Sequence, residues 1–171
     1  GMIMSQRPLA KSYYGRFYEV RIEAADASRW QDGLGIGVGT QPEDFSQIGA
    51  NGVHHFEGFA CELLPHSWML GYDGRARECG RSHLLRGAKE LPKGMWRLSE
   101  LAVGDVLGLL AMPEAILVLF VNNVMVYRHD CRDLPWDADL FAVIDLDGCT
   151  QSVSLLDSDA RPGREVQLAV G

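Results

Sequence analysis

The sequence predicts an all-β domain, a sandwich or a barrel built from eight or more antiparallel strands. Three observations carry that prediction. Nineteen glycines and seven prolines, with Asn and Asp clusters, punctuate short apolar runs. Residues 33–40 alternate strictly, and a period of two is a strand period. No apolar pattern of helical period runs long enough for a helix, so helix is expected below ~15 %, against about a third in an average globular protein.

Residues 13–22 are aromatic and β-branched with partial alternation, a first strand, and residues 26–33 read as a turn region. In the strand over 33–40, Leu34, Ile36 and Val38 share the core side. Gly33, Gly35, Gly37 and Gly39 share the other, leaving room for a close approach. Residues 41–66 carry Pro42, Gly49, Asn51-Gly52, Gly58 and Pro65, a long loop. A strand over 68–72 meets a tight turn at Asp73-Gly74. Residues 75–95 are polar, a loop or an edge hairpin, and 95–102 have room for one helical turn. Strands follow over 103–110, opened by Gly104-Asp105, and over 115–121, after a turn at Met112-Pro113-Glu114. Asn122-Asn123 makes a hairpin turn into a strand over 124–127, because Asn tolerates positive φ. Strands over 140–146 and 150–156 flank Asp147-Gly148. A polar turn over 157–165 and a candidate last strand over 166–170 complete the order. Leu34, Ile36, Val38, Val106, Leu117, Leu119, Val143, Ile144 and Leu155 are the expected core. The expected organisation is one domain over residues 5–157. Residues 1–4 read as a tag remnant or disordered start, and 158–171 as a C-terminal extension.

The 171 residues suit a single domain, and 47 % hydrophobic with 23 % charged residues is a globular composition. The net charge of -7, with 16 scattered Lys and Arg, opposes binding to a phosphate backbone, so no nucleic-acid partner is expected. The longest apolar run, 106–121, is broken by Gly108, Pro113 and Glu114. It falls short of the ~20 residues of a membrane helix, and no membrane insertion is expected. Cys61, Cys79, Cys131 and Cys149 stand far apart without a Cys-x-x-Cys, which predicts free thiols and an intracellular, cytoplasmic protein, with two disulfides as the alternative.

Sites for chemistry are sparse. The glycine run is not a dinucleotide fingerprint, because Val38 stands where the third glycine belongs and no helix pattern follows, so no cofactor is expected. Cys61, His66, Cys79 and His83 are spaced loosely like zinc ligands, but a polar loop accounts for each of them, and no metal is expected. There is no G-x-S-x-G elbow; Asp145 and Asp147 share one strand face, which makes a glycosidase pair conceivable, but a strand rim or a turn accounts for them, and no enzyme is expected. Trp30, Trp68, Trp96 and Trp136 each stand near a turn, as core plugs or as an exposed recognition face.

Several stretches point to a family. Gly104-Asp105-Val106-Leu107-Gly108-Leu109-Leu110, followed by Leu119-Phe120-Val121-Asn122-Asn123, resembles the signature of SPRY domains, and 68–74 resembles their mid-domain tryptophan strand. The stretch 140–157 is similar to the closing motif of the related neuralized homology repeat (NHR). Ser5-Gln6-Arg7-Pro8-Leu9, Phe17-Tyr18-Glu19-Val20-Arg21-Ile22, Trp30 and 34–38 fit the start of that repeat. The resemblance covers residues 5–157 and implies a bent two-sheet antiparallel β-sandwich, a SPRY/concanavalin-like jelly roll. It further implies a non-catalytic module that binds a protein or peptide, often as the substrate-selecting part of a ubiquitin ligase. The alternative is a lectin-like carbohydrate-binding sandwich using Trp30, Trp68 or Trp136 as a sugar platform. Loops on a rigid scaffold are where binding residues usually sit. The expected contact segments are therefore 26–32, with Arg29 and Trp30; 41–66, with His54, His55, Phe56 and Phe59; and 128–136, with Arg128, Arg132 and Trp136.

Overall fold

A computed structural model of the chain describes residues 1–26, 34–40, 64, 66–71, 75–78, 81–84, 100–146 and 148–156. The strands are β1 (Met2–Met4), β2 (Arg16–Ala25), β3 (Leu34–Gly39), β4 (Ser67–Gly71), β5 (Arg75–Glu78), β6 (Arg81–Leu84), β7 (Val106–Met112), β8 (Ile116–Val121), β9 (Val124–Asp130), β10 (Phe141–Leu146) and β11 (Thr150–Leu155). They form two antiparallel sheets, ordered β1-β10-β3-β4-β5-β6 and β11-β2-β7-β8-β9. The architecture is the all-β two-sheet sandwich that the resemblance implies.

Period-2 alternation explains the layering. From the second sheet Tyr18, Val20 and Ile22 of β2, Leu107, Leu109 and Ala111 of β7, and Leu117 and Leu119 of β8 point into the main core. From the first sheet Leu34, Ile36, Val38, Trp68, Leu70, Ala142 and Ile144 meet them. The alternate positions Phe17, Leu110, Val118 and Phe120 are buried on the opposite face of the second sheet, with the Phe17 and Phe120 rings edge to face. Val143 is buried with Leu64 and Met69 on the opposite face of the first sheet.

The glycine face of β3 is filled by the chain itself. A Cβ on Gly37 would lie 2.1 Å from the Trp68 carbonyl and 2.4 Å from Met69 Sδ, so only glycine lets β3 and β4 come this close. Tyr18 crosses from the other sheet to the same place. Its hydroxyl donates to the Gly37 carbonyl at 2.6 Å and accepts from the Gly37 amide at 3.1 Å, and it lies 3.2 Å from the Val143 carbonyl.

The Gly104-Asp105 and Asn122-Asn123 motifs prove to be one hydrogen-bonded unit. Asn122 (φ 49°) and Asn123 (φ 66°) make the tight turn between β8 and β9. The Asn122 side chain accepts from the Val106 amide at 3.0 Å and donates to Asp105 at 2.9 Å. Gly104, at φ 96°, donates its amide to the Ile22 carbonyl, a conformation that favours glycine.

Several expectations are corrected. Residues 2–4 are not a disordered start: Met2, Ile3 and Met4 pair with Asp145, Ile144 and Val143 as an edge strand, and Met2 and Met4 pack near Val143. Val106 is only half-buried because alternation turns it to the outer face of β7, opposite the exposed Arg21, while Leu107 takes the core; Leu155 is 48 % exposed at the last position of the edge strand β11. The strand expected over 124–127 runs on to Asp130, as its backbone pairs with β8 back to Ile116. The turn at Asp73-Gly74 and the elements expected over 157–170 lie outside the described residues.

Candidate functional site

At one end of the sandwich the chain leaves β9 in the second sheet and crosses to β10 in the first, through residues 131–140. Leu134 and Leu140 bury their side chains in the core and anchor this crossing. Its polar backbone is held by side chains from both sheets. From β4, the buried Trp68 indole donates to the Arg132 carbonyl at 2.8 Å. From β5, Glu78 Oε2 accepts the Arg132 amide at 3.1 Å. From β2, the buried Arg16 guanidinium donates to the carbonyls of Trp136 at 3.1 Å and Ala138 at 2.5 Å. Arg16 also lies over the Trp136 ring at 5.4 Å, and Lys11 Nζ lies 5.7 Å from that ring's centroid. Burial pulls the Arg16 pKa down, and the nearby Asp139 charge opposes that shift.

Beside this crossing sits a cluster of three chemically distinct side chains. His129 Nε2 meets Glu78 Oε1 at 2.6 Å across the gap between the sheets. The Tyr127 ring stacks on the imidazole with centroids 6.4 Å apart and planes 22° apart. Ligand atoms of Glu78, His129 and Cys131 all lie within 4.8 Å of one another. Burial and then the Glu78 charge push the Cys131 thiol far above its ordinary range, with Asp130 adding to the rise. A thiol kept protonated is a poor nucleophile, and the imidazole nitrogen that could serve it is engaged by Glu78.

The residues expected at a contact surface fall as follows. Arg132 and Trp136 lie together in the crossing segment: Arg132 is exposed and Trp136 half-buried against Arg16 and Lys11. Arg128 is exposed but sits on the edge strand β9 rather than in a loop, opposite Val118 and 3.7 Å from Asp130. Trp68 is 2 % exposed, which removes it as a recognition face. Arg29, Trp30, His54, His55, Phe56 and Phe59, with Cys61 and Cys79, lie outside the described residues. Cys131 and Cys149 are free thiols. Sequence reasoning missed Arg16, Glu78 and His129. Arg16 carried one unused signal, a lone cation opening an aromatic strand. Glu78 and His129 carried none, because their partners are 54 and 51 residues away in the chain.

The Neuralized family profile matches residues 1–157. No curated protein is found to match the chain. Among solved structures, the NHR1 domain of Drosophila melanogaster Neuralized superposes with a TM-score of 0.57 at 14 % identity, covering 91 % of this chain and 79 % of that one. The SPRY domain of human HERC1 gives 0.55 at 16 % identity, covering 94 % and 84 %. A further human SPRY domain gives 0.54 at 22 % identity, covering 94 % and 86 %. At these identities the superpositions establish the shared sandwich. Among the described residues, no helix is long and apolar enough to cross a membrane.

Proposed function

This chain belongs to the Neuralized family, and from that premise we propose that it is a non-catalytic module that binds a protein or peptide and selects partners for a larger protein, including a ubiquitin-ligase assembly. Domains of the Neuralized and SPRY families are typically protein-interaction modules. The observation that carries the reading onto this chain is the pinned crossing segment. Both backbone polar groups of Arg132 are taken by the scaffold while its side chain stands exposed. Such a position can vary its side chain to suit a partner without unfolding the frame. The contact surface we propose joins Arg132, Trp136 and Arg128 with Arg29, Trp30, His54, His55, Phe56 and Phe59. The module ends at residue 157, with 158–171 a C-terminal extension. Free thiols at Cys131 and Cys149 support a reducing, cytoplasmic compartment. The lectin-like alternative loses Trp68, whose ring is buried and whose indole N–H serves Arg132.

The test is selection of binders from a peptide-display library, followed by Arg132→Ala, Arg29→Ala and His55→Ala. Each variant is expected to weaken binding by about 1–2 kcal/mol with the melting temperature unchanged. Normal binding by all three, with loss on changing an exposed sheet-face residue, overturns the loop-end site.

A further inference from the structure

We propose that Glu78, His129 and Cys131 form a three-donor site for Zn2+ that ties the two sheets together beside the crossing segment. The donors are a carboxylate from β5, an imidazole from β9 and a thiol one residue past that strand. A mixed S, N and O set suits Zn2+, which takes three protein ligands and leaves a fourth position open to water. The geometry is close to what the ion needs. Zinc–ligand bonds of about 2.0–2.3 Å in a tetrahedron set the donors roughly 3.3–3.7 Å apart. Here Nε2 and Oε1 stand at 2.6 Å, and all three ligand atoms lie within 4.8 Å of one another. Opening the His129–Glu78 contact by about 1 Å makes room for the ion.

The surroundings already orient the ligands. Glu78 Oε2 is held by the Arg132 amide, which leaves Oε1 aimed at His129. The Tyr127 ring lies nearly parallel to the imidazole, with centroids 6.4 Å apart. The His129 and Glu78 side chains are 16 % and 8 % exposed, so the site is shielded yet within reach of solvent. Charge also balances. On binding, the Cys131 S–H bond breaks, the proton leaves to bulk water, and the thiolate sulfur joins the metal. The proton that Nε2 shares with Glu78 Oε1 is also displaced, moving to Nδ1 through water or leaving to bulk, and His129 then ligates through Nε2 with one proton on Nδ1. Two ligand negative charges then cancel the 2+ of the ion. Without the ion, Glu78 opposes the thiolate; with it, Glu78 becomes a co-ligand. Nothing in the sequence spacing of residues 78, 129 and 131 announces such a site.

The test uses the whole chain, reduced and freed of metal by a chelator. Zn2+ should bind at one equivalent and raise the melting temperature by about 5–10 °C at 100-fold excess over Kd. Co2+ in place of Zn2+ should give the near-ultraviolet absorption of a thiolate–cobalt bond. Cys131→Ser should abolish that band, and Glu78→Gln and His129→Gln should each weaken Zn2+ binding at least about tenfold. Circular dichroism checks that each variant is folded, and if one is not, the other two decide. The proposal is overturned if Zn2+ leaves the melting temperature of the unaltered chain unchanged. It is also overturned if the cobalt band survives in Cys131→Ser, or if no folded variant changes Kd by more than about twofold.

Discussion

Replacing Tyr18 by phenylalanine removes one oxygen and no apolar volume, and the structure sets the size of the effect. The hydroxyl is fully buried and serves three backbone groups: the Gly37 amide, the Gly37 carbonyl and the Val143 carbonyl. A buried polar group left without a partner costs about 1–3 kcal/mol. The two carbonyls each keep a second lone pair for other donors, so the expected loss is about 2–4 kcal/mol rather than the full sum. For a chain of 171 residues that lowers the melting temperature by roughly 5–15 °C. Urea unfolding at neutral pH measures it. A second signature comes from alkali. Burial pushes the Tyr18 phenol far above its ordinary range in the folded protein, whereas the unfolded chain ionises near pH ~10. Below about pH 10 both states hold the proton and the full contribution stands. Above it the unfolded state holds fewer protons, so stability falls by up to about 1.4 kcal/mol per pH unit. The phenylalanine variant has nothing to ionise at this position, so the gap between the two proteins should narrow by about that amount from pH 10 to pH 11. A loss below about 0.5 kcal/mol at pH 7, or a gap that stays constant through pH 11, would refute the buried-phenol account.

Two further perturbations follow from backbone geometry and from the buried cation. Ala115 closes the turn between β7 and β8 at φ 60°, donating to the Met112 carbonyl at 3.1 Å. Ala115→Gly should relieve about 1 kcal/mol of left-handed strain and lose part of a half-buried methyl, a net gain of about 0.5 kcal/mol in urea unfolding. Arg16→Lys keeps the charge but cannot spread donors in one plane to the Trp136 and Ala138 carbonyls. We expect a loss of about 2 kcal/mol and a red-shifted tryptophan emission as Trp136 loses its cover, and an unchanged emission maximum would count against the clamp.

How much of this was legible in the sequence depended on the range of the interactions. The strand β3 could be read because its period-2 alternation is local, β8 and β10 because short apolar runs between turn residues read as strands, and Asn122-Asn123 because positive φ restricts residue choice. The strand β1 was not legible: three apolar residues carry no period, and their place is set by the edge of β10. Val143 and Ile144 were both rightly expected to be buried, but a strand turns neighbours to opposite faces, so they lie in separate clusters. Leu155 shows the limit of reading hydrophobicity alone, since exposure is decided by what the opposite sheet covers. The Glu78–His129 contact was invisible because it joins strands of different sheets.

The same distinction separates what the family motifs do from where a partner can be read. Asp105 and Asn122 spend their polar atoms on each other and on the Ala102 and Val106 amides. Gly104 uses its positive φ to reach the Ile22 carbonyl. These residues identify the fold because the scaffold needs them, so they have little left to offer a ligand. Arg132 has the opposite allocation. Its amide and carbonyl are fixed by Glu78 and Trp68, and its guanidinium stands outside. The two sheets thus determine where that side chain begins but not which side chain it is. A substitution at Asp105 or Asn122 should therefore lower stability first and binding only in proportion. A substitution at Arg132 should do the reverse, because hydrogen bonds from the backbone survive the loss of the side chain.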